Sequence, residues 1–138
     1  MAILLLPICV NAQNVPKASD EPFVVEGYYK VKWGYADEFL ALYKKNHYPI
    51  LKKLVEKGDL LKITMDKPRL HSSEDSRWDY RVTLVWKNSK LAYDNSLVEP
   101  YKKTMYPDQA SYEKEEQRRF EILIAHWDIT VQGVELDK

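Results

Sequence analysis

An α+β fold, a four-stranded antiparallel sheet with two helices on one face, is predicted by three observations. Four runs rich in β-branched and aromatic residues occupy residues 23–32, 60–67, 77–87 and 121–132. Residues 36–54 instead space their apolar side chains at three and four positions, the period of a half-buried helix. A second helical stretch ending near Phe120 separates the third and fourth runs. The order is therefore strand, helix, strand, strand, helix, strand: the βαββαβ arrangement of ferredoxin-like domains.

The first strand, FVVEGYYKVK, ends before Gly34. In the helix that follows, Ala36, Phe39, Leu40, Tyr43, His47, Ile50, Leu51 and Leu54 form the apolar stripe, and Gly58 supplies the stop. His47 is a titratable ring where the pattern asks for a hydrophobe. It is either a satisfied core histidine or a functional one. Pro49 removes a backbone donor and frees the carbonyl about a turn earlier, so the helix should kink or restart beside His47. LLKITMDK is the second strand, and residues 68–76 form an exposed loop holding His71. RWDYRVTLVWK alternates most cleanly and is the third strand. Asn88 and Ser89 cap a helix reaching about Val98. After an interruption at Pro100, Pro107-Asp108 opens the second main helix, in which EKEEQRR reads as a solvated face with Glu115 and Arg119 one turn apart. EILIAHWDITVQ is the last strand, and residues 133–138 form a polar tail.

Alternation assigns the sheet faces. Val25, Tyr29, Val31, Leu61, Ile63, Met65, Trp78, Tyr80, Val82, Leu84, Trp86 and the odd-numbered residues from Leu123 to Val131 should lie under the helices. The other face should carry Glu26, Tyr28, Lys30, Lys62, Thr64, Asp66, Arg77, Asp79, Arg81, His126 and Asp128. His126 with Asp128, and Asp79 with Arg81, stand two apart and should form acid–base couples. A solvated face of this kind is tolerated by antiparallel sheets.

At 138 residues the chain makes one domain, residues 23–132, with an ordinary core. Basic and acidic residues both number 21, so no charge excess points to nucleic acid or an anionic membrane. Ten tyrosines and four tryptophans against three phenylalanines favour rings with a polar tip, suited to cavity walls and interfaces. Residues 1–12, MAILLLPICVNA, match the end of a secretory signal peptide lacking its basic start. Val10 and Ala12 stand at the cleavage positions before Gln13, and the run is too short to span a bilayer. Export is the expectation; without cleavage the chain would be cytoplasmic, and the missing start implies upstream or mis-assigned translation. Cleavage would remove Cys9, the only cysteine. Residues 13–22 read as a flexible lead-in. There is no nucleophile elbow, phosphate-binding loop, zinc-protease helix or dinucleotide turn, and no histidine pair has metal-ligand spacing.

The run Phe39-x-x-x-Tyr43-x-x-x-His47-x-Pro49 on the first helix of such a unit resembles the EthD and NIPSNAP-like branch of the dimeric α/β-barrel superfamily. That resemblance implies a homodimer whose sheets pair face to face, so that the mixed face lines a barrel. It implies no cofactor and a small-molecule ligand. Several members move protons on aromatic or polyketide-like carbonyl compounds. Histidine suits that chemistry with an unperturbed pKa of about 6.5, and tyrosine suits oxyanion stabilisation. The catalytic candidates are His126, Asp128, His47 and Tyr28; the substrate-binding candidates are Tyr43, Glu26, Asp79 and Arg81, with no metal. Two functions stand: a cofactor-independent acid–base enzyme of cyclase, isomerase or monooxygenase type, and a non-catalytic exported ligand-binding or structural dimer.

Overall fold

A computed structural model describes residues 21–137. The expected signal peptide, residues 1–12, and residues 13–20 of the expected lead-in lie outside them. β1 (Phe23–Val31), β2 (Leu60–Asp66), β3 (Tyr80–Trp86) and β4 (Leu123–Val131) form one antiparallel sheet in the order β2-β3-β1-β4. α1 (Ala36–Leu42), a π-helical turn (Tyr43–His47) and α2 (Tyr48–Lys57) run as one rod across it. A left-handed Gly58 (φ 87°) ends α2, donating its N–H to Leu54 and Val55. The expected helix from Asn88 is a short α3 (Ser89–Ala92) followed by a 3-10 turn (Asn95–Val98). Pro100 opens α4 (Glu99–Met105) rather than interrupting a helix, because the first turn needs no proline N–H. α5 (Gln109–Glu121) is capped by Asp108, whose carboxylate accepts from the Ser111 N–H.

The core lies between the rod and the sheet. Phe39, Leu54, Leu60, Val31 and Ile122 are fully buried there, with Tyr29, Tyr43, Tyr80, Val82 and Trp86 around them. α5 packs on α1 and the π turn rather than squarely over β4, so His126 to Val131 remain exposed. Residues 133–137 carry neither helix nor strand, and no helix among the described residues is long and apolar enough to cross a membrane.

Three face assignments change. In β4 the pairing shifts between Lys30, opposite Ala125, and Val31, opposite Leu123, which leaves Ile124 unpaired. Past this bulge the parity inverts, since a one-residue slip turns every side chain over. His126 pairs with Tyr29 and Asp128 with Gly27 on the helix side; Trp127, Ile129 and Val131 pair with Tyr28, Glu26 and Val24 on the open side. In β2 a second irregularity makes Leu61 the extra residue, half exposed rather than under the helices. Third, β3 begins only at Tyr80. Trp78 therefore turns to the open side, its ring edge on Tyr28, while Arg77 is buried.

Candidate functional site

Pro49 shapes the rod. With no N–H there, the Lys45 carbonyl has no helical donor, and the chain takes a wider turn in which the Tyr48 N–H reaches the Tyr43 carbonyl. The Tyr106 hydroxyl supplies the missing bond, donating at 3.0 Å to both the Lys45 and Asn46 carbonyls. Asn46, buried, donates to Glu115 at 2.7 Å, and Lys45 pairs with the same carboxylate at 2.6 Å. The turn beside His47 is thus held by α5 and the loop preceding it.

Its product is a row of rings. His47 lies 5.0 Å from Tyr43, Tyr43 lies 6.0 Å from Tyr29, and Tyr29 stacks on His126 at 4.3 Å and 10°. The two histidines therefore stand at the ends of one aromatic row on the helix side of the sheet. The Tyr43 hydroxyl is buried and has no hydrogen-bond partner. Burial pushes its phenol far above the ordinary tyrosine range, and pushes Tyr29 up to about 12. Both stay protonated and can only serve as neutral hydroxyls.

Beside the π turn a cleft of about 520 Å³ opens between the rod and edge strand β2, walled by Tyr43, Lys44, Tyr48, Ile63, Thr64 and Met65. That volume lies in the range of small-molecule sites. On the other side of the rod, His47 and Glu116 line a cleft of about 460 Å³ with Arg119 and Phe120. The Glu116 carboxylate lies 3.8 Å from His47 Nδ1 and accepts two bonds from Arg119, at 3.0 and 2.7 Å. Burial alone would push Glu116 up, but His47 and the Arg119 guanidinium outweigh it and bring the carboxyl down to about 2. EKEEQRR is therefore only partly a solvated face, through the exposed Glu113, Lys114 and Gln117. Arg119 is buried and bonded to Glu116, whereas Glu115 serves the π turn.

The remaining candidates separate into two groups. His126 Nδ1 lies 3.0 Å from the Tyr28 carbonyl, an acceptor, so in this arrangement Nδ1 carries a proton. Nε2 stands 3.6 Å from Asp128 Oδ2. Gly27 opposite leaves the room: a Cβ there would sit 2.7 Å from Asp128 Oδ1. The couple exists, but apart from Glu26, Tyr28 and Arg81. On the open face the Tyr28 hydroxyl donates to Glu26 at 2.6 Å, and its ring lies parallel to Trp127 at 5.3 Å. Arg81 bonds Asp66 at 3.1 Å and lies 3.8 Å from Glu26. The expected Asp79–Arg81 couple does not form. Asp79 accepts from Arg77 at 2.6 Å and from the Val31 N–H at 2.7 Å, because the chain before Tyr80 turns out of the strand. Among the described residues no cluster of three or more His, Cys, Asp or Glu could hold a metal ion.

Sequence reasoning missed Gly27, Glu116, Arg119 and Tyr106. Only Tyr106 had an accessible signal, since a carbonyl orphaned by Pro49 needs a donor from elsewhere in the chain.

No protein-family model and no curated protein matches the chain. Solved structures do. A proposed antibiotic biosynthesis monooxygenase from Nitrosomonas europaea aligns with TM-score 0.50 at 13% identity, over 84% of this chain and 93% of that one. A protein from Arabidopsis thaliana aligns with TM-score 0.52 at 10% identity, over 84% and 99%. A dimeric ferredoxin-like protein from an uncultured marine organism aligns with TM-score 0.50 at 8% identity, over 86% and 96%. At such identities likeness carries the fold alone. The chain has a ferredoxin-like α+β fold, similar to the fold of these solved structures.

Proposed function

We propose that this protein is a small-molecule-binding homodimer of the EthD and NIPSNAP-like kind, with one ligand cleft per chain beside the π turn. One observation carries the binding half: a buried tyrosine hydroxyl without a protein partner, on a residue that walls a largely apolar cleft. Buried polar groups left unpaired by the protein are uncommon and call for a reason. Pairing through the open face is supported by the band of Trp127, Ile129 and Val131, each 39–42% exposed, and by the dimeric state of the structurally similar marine ferredoxin-like protein. Glu26, Asp66 and Arg81 on that face are already bonded within the chain, which suits an interface better than a cavity. Sedimentation should give a dimer, and Ile129→Lys a folded monomer; a monomeric wild type overturns the pairing. For binding, Ile63→Trp, which fills the cleft, should abolish capture of aromatic carbonyl compounds by the purified dimer. Unchanged capture overturns the placement.

A second reading, proton transfer on a carbonyl compound, is favoured by His126. Its Nδ1 is engaged by a backbone carbonyl, leaving Nε2 available beside Asp128. Solvent deuterium should enter the α-carbon of enolisable aryl ketones with the wild type and not with His126→Ala. A variant that loses stability or dimerisation would make the residue structural instead. Export is proposed on residues 1–12 alone. A secreted chain beginning at Gln13 supports it, and a cytosolic chain retaining Cys9 overturns it.

A further inference from the structure

We infer that the cleft beside the π turn takes a flat organic monoanion, an aromatic carboxylate, with its ring between Tyr48, Ile63 and Met65 and its charge at the Lys44 ammonium. This rests on the reading of that cleft as the ligand site. The argument runs from the wall's composition. Of its six side chains only Lys44 is charged, and no carboxylate is among them to repel an anion. Lys44 has no ion-pair partner among the described residues, whereas its neighbour Lys45 is held by Glu115. An ammonium in the wall of a low-polarity cleft attracts an anion more strongly than one on open surface. The tyrosine rings on either side of the π turn and the polarisable Met65 thioether offer faces to a planar body.

The same features set the cleft apart from the one across the rod. There Glu116 and Glu113 accompany Arg119, His47 and Lys102, and Arg119 is already bonded to Glu116, so no net attraction for an anion remains.

The test uses the purified dimer with isotope-labelled methionine methyl groups. Met65 lines this cleft, while Met105 lines a different one and serves as the internal control. Three probes are titrated: naphthalene carboxylate, methyl naphthyl ketone and octanoate. The expected result is a saturable shift of the Met65 methyl with Met105 unmoved, and binding of the carboxylate about tenfold tighter than the ketone. Lys44→Gln should abolish that difference by weakening the carboxylate alone. Equal binding of carboxylate and ketone, or a carboxylate affinity unchanged in Lys44→Gln, overturns the anion inference while leaving the cleft as a ligand site. Octanoate binding as tightly as the naphthalene carboxylate overturns the flat body. No response of Met65 to any probe overturns the underlying reading as well.

Discussion

Removing the Tyr43 hydroxyl should make the protein more stable. In Tyr43→Phe the ring keeps its packing against Tyr29, Phe39 and His47, at 6.0, 6.1 and 5.0 Å. What disappears is a buried polar group with no bond inside the chain. Leaving such a group unsatisfied costs about 1–3 kcal/mol, and even the lower end of that range is measurable. A gain of about 1 kcal/mol should raise the urea midpoint by about 0.5 M and the melting temperature by roughly 3–6 °C. Tyr80→Phe is the matching control. Its hydroxyl donates to the Ala36 carbonyl at 3.1 Å, so the same chemical change should there lose about 1 kcal/mol. Opposite signs for two Tyr→Phe changes in one core are the result expected from urea unfolding. If Tyr43→Phe instead loses 1 kcal/mol or more, the hydroxyl has a stabilising partner and its role as an anchor for a ligand falls. A gain in stability with a loss of ligand affinity would be the signature of a group kept for binding.

Gly27→Ala should fold with little loss, because the atom its Cβ meets is the end of the Asp128 side chain, which is 59% exposed and free to swing away. The His126–Asp128 couple should separate with it, and deuterium uptake by aryl ketones should drop. Uptake unchanged with the carboxylate visibly displaced removes Asp128 from the chemistry. Glu116 titrates in the folded chain near 2 instead of 4.5. Its contribution, on the order of 3 kcal/mol, is therefore complete above about pH 4.5 and lost as pH falls toward 2. Urea midpoints measured from pH 5 to 3 should fall more steeply for the wild type than for Glu116→Gln; parallel curves refute the pairing. Tyr106→Phe leaves the Lys45 and Asn46 carbonyls without their donor and should cost about 1–2 kcal/mol. Faster amide exchange at His47 and Tyr48 than at Leu51 would locate that loss in the π turn.

The sheet was legible where alternation ran unbroken. In β3 Tyr80, Val82 and Trp86 are buried as their spacing demands, and in β1 Tyr29 and Val31 are. It failed at β4 for a specific reason. A bulge residue needs no special side chain, and Ile124 is as good a strand residue as its neighbours. Simple alternation therefore puts four apolar side chains, Ala125, Trp127, Ile129 and Val131, under the helices, and His126 and Asp128 on the wrong side. The burial of Arg119 was hidden by its company, since EKEEQRR has the composition of a solvated helix and only tertiary contact shows which charges turn inward. Pro49, by contrast, announced its defect in the sequence. What it could not announce was the form of the defect, because that depends on a hydroxyl sixty residues away.

The inverted strand moves the functional question from one side of the sheet to the other. With the apolar residues of β4 outward, the open face has a grease band beside charges bonded to each other, and it offers little for chemistry but much for packing. On the helix side, two groups beside the π turn lack a partner among the described residues: the Tyr43 hydroxyl and the Lys44 ammonium. They are there because a proline in the middle of the rod prevents a straight α-helix. A straight helix would place Tyr43 and Tyr48 on different faces, since five residues overshoot its turn of about 3.6. A π turn brings residues five apart onto one face. The helix defect is thus the device that puts two tyrosines into one cleft wall. It persists because Tyr106, Asn46 and Glu115 satisfy what the proline leaves open.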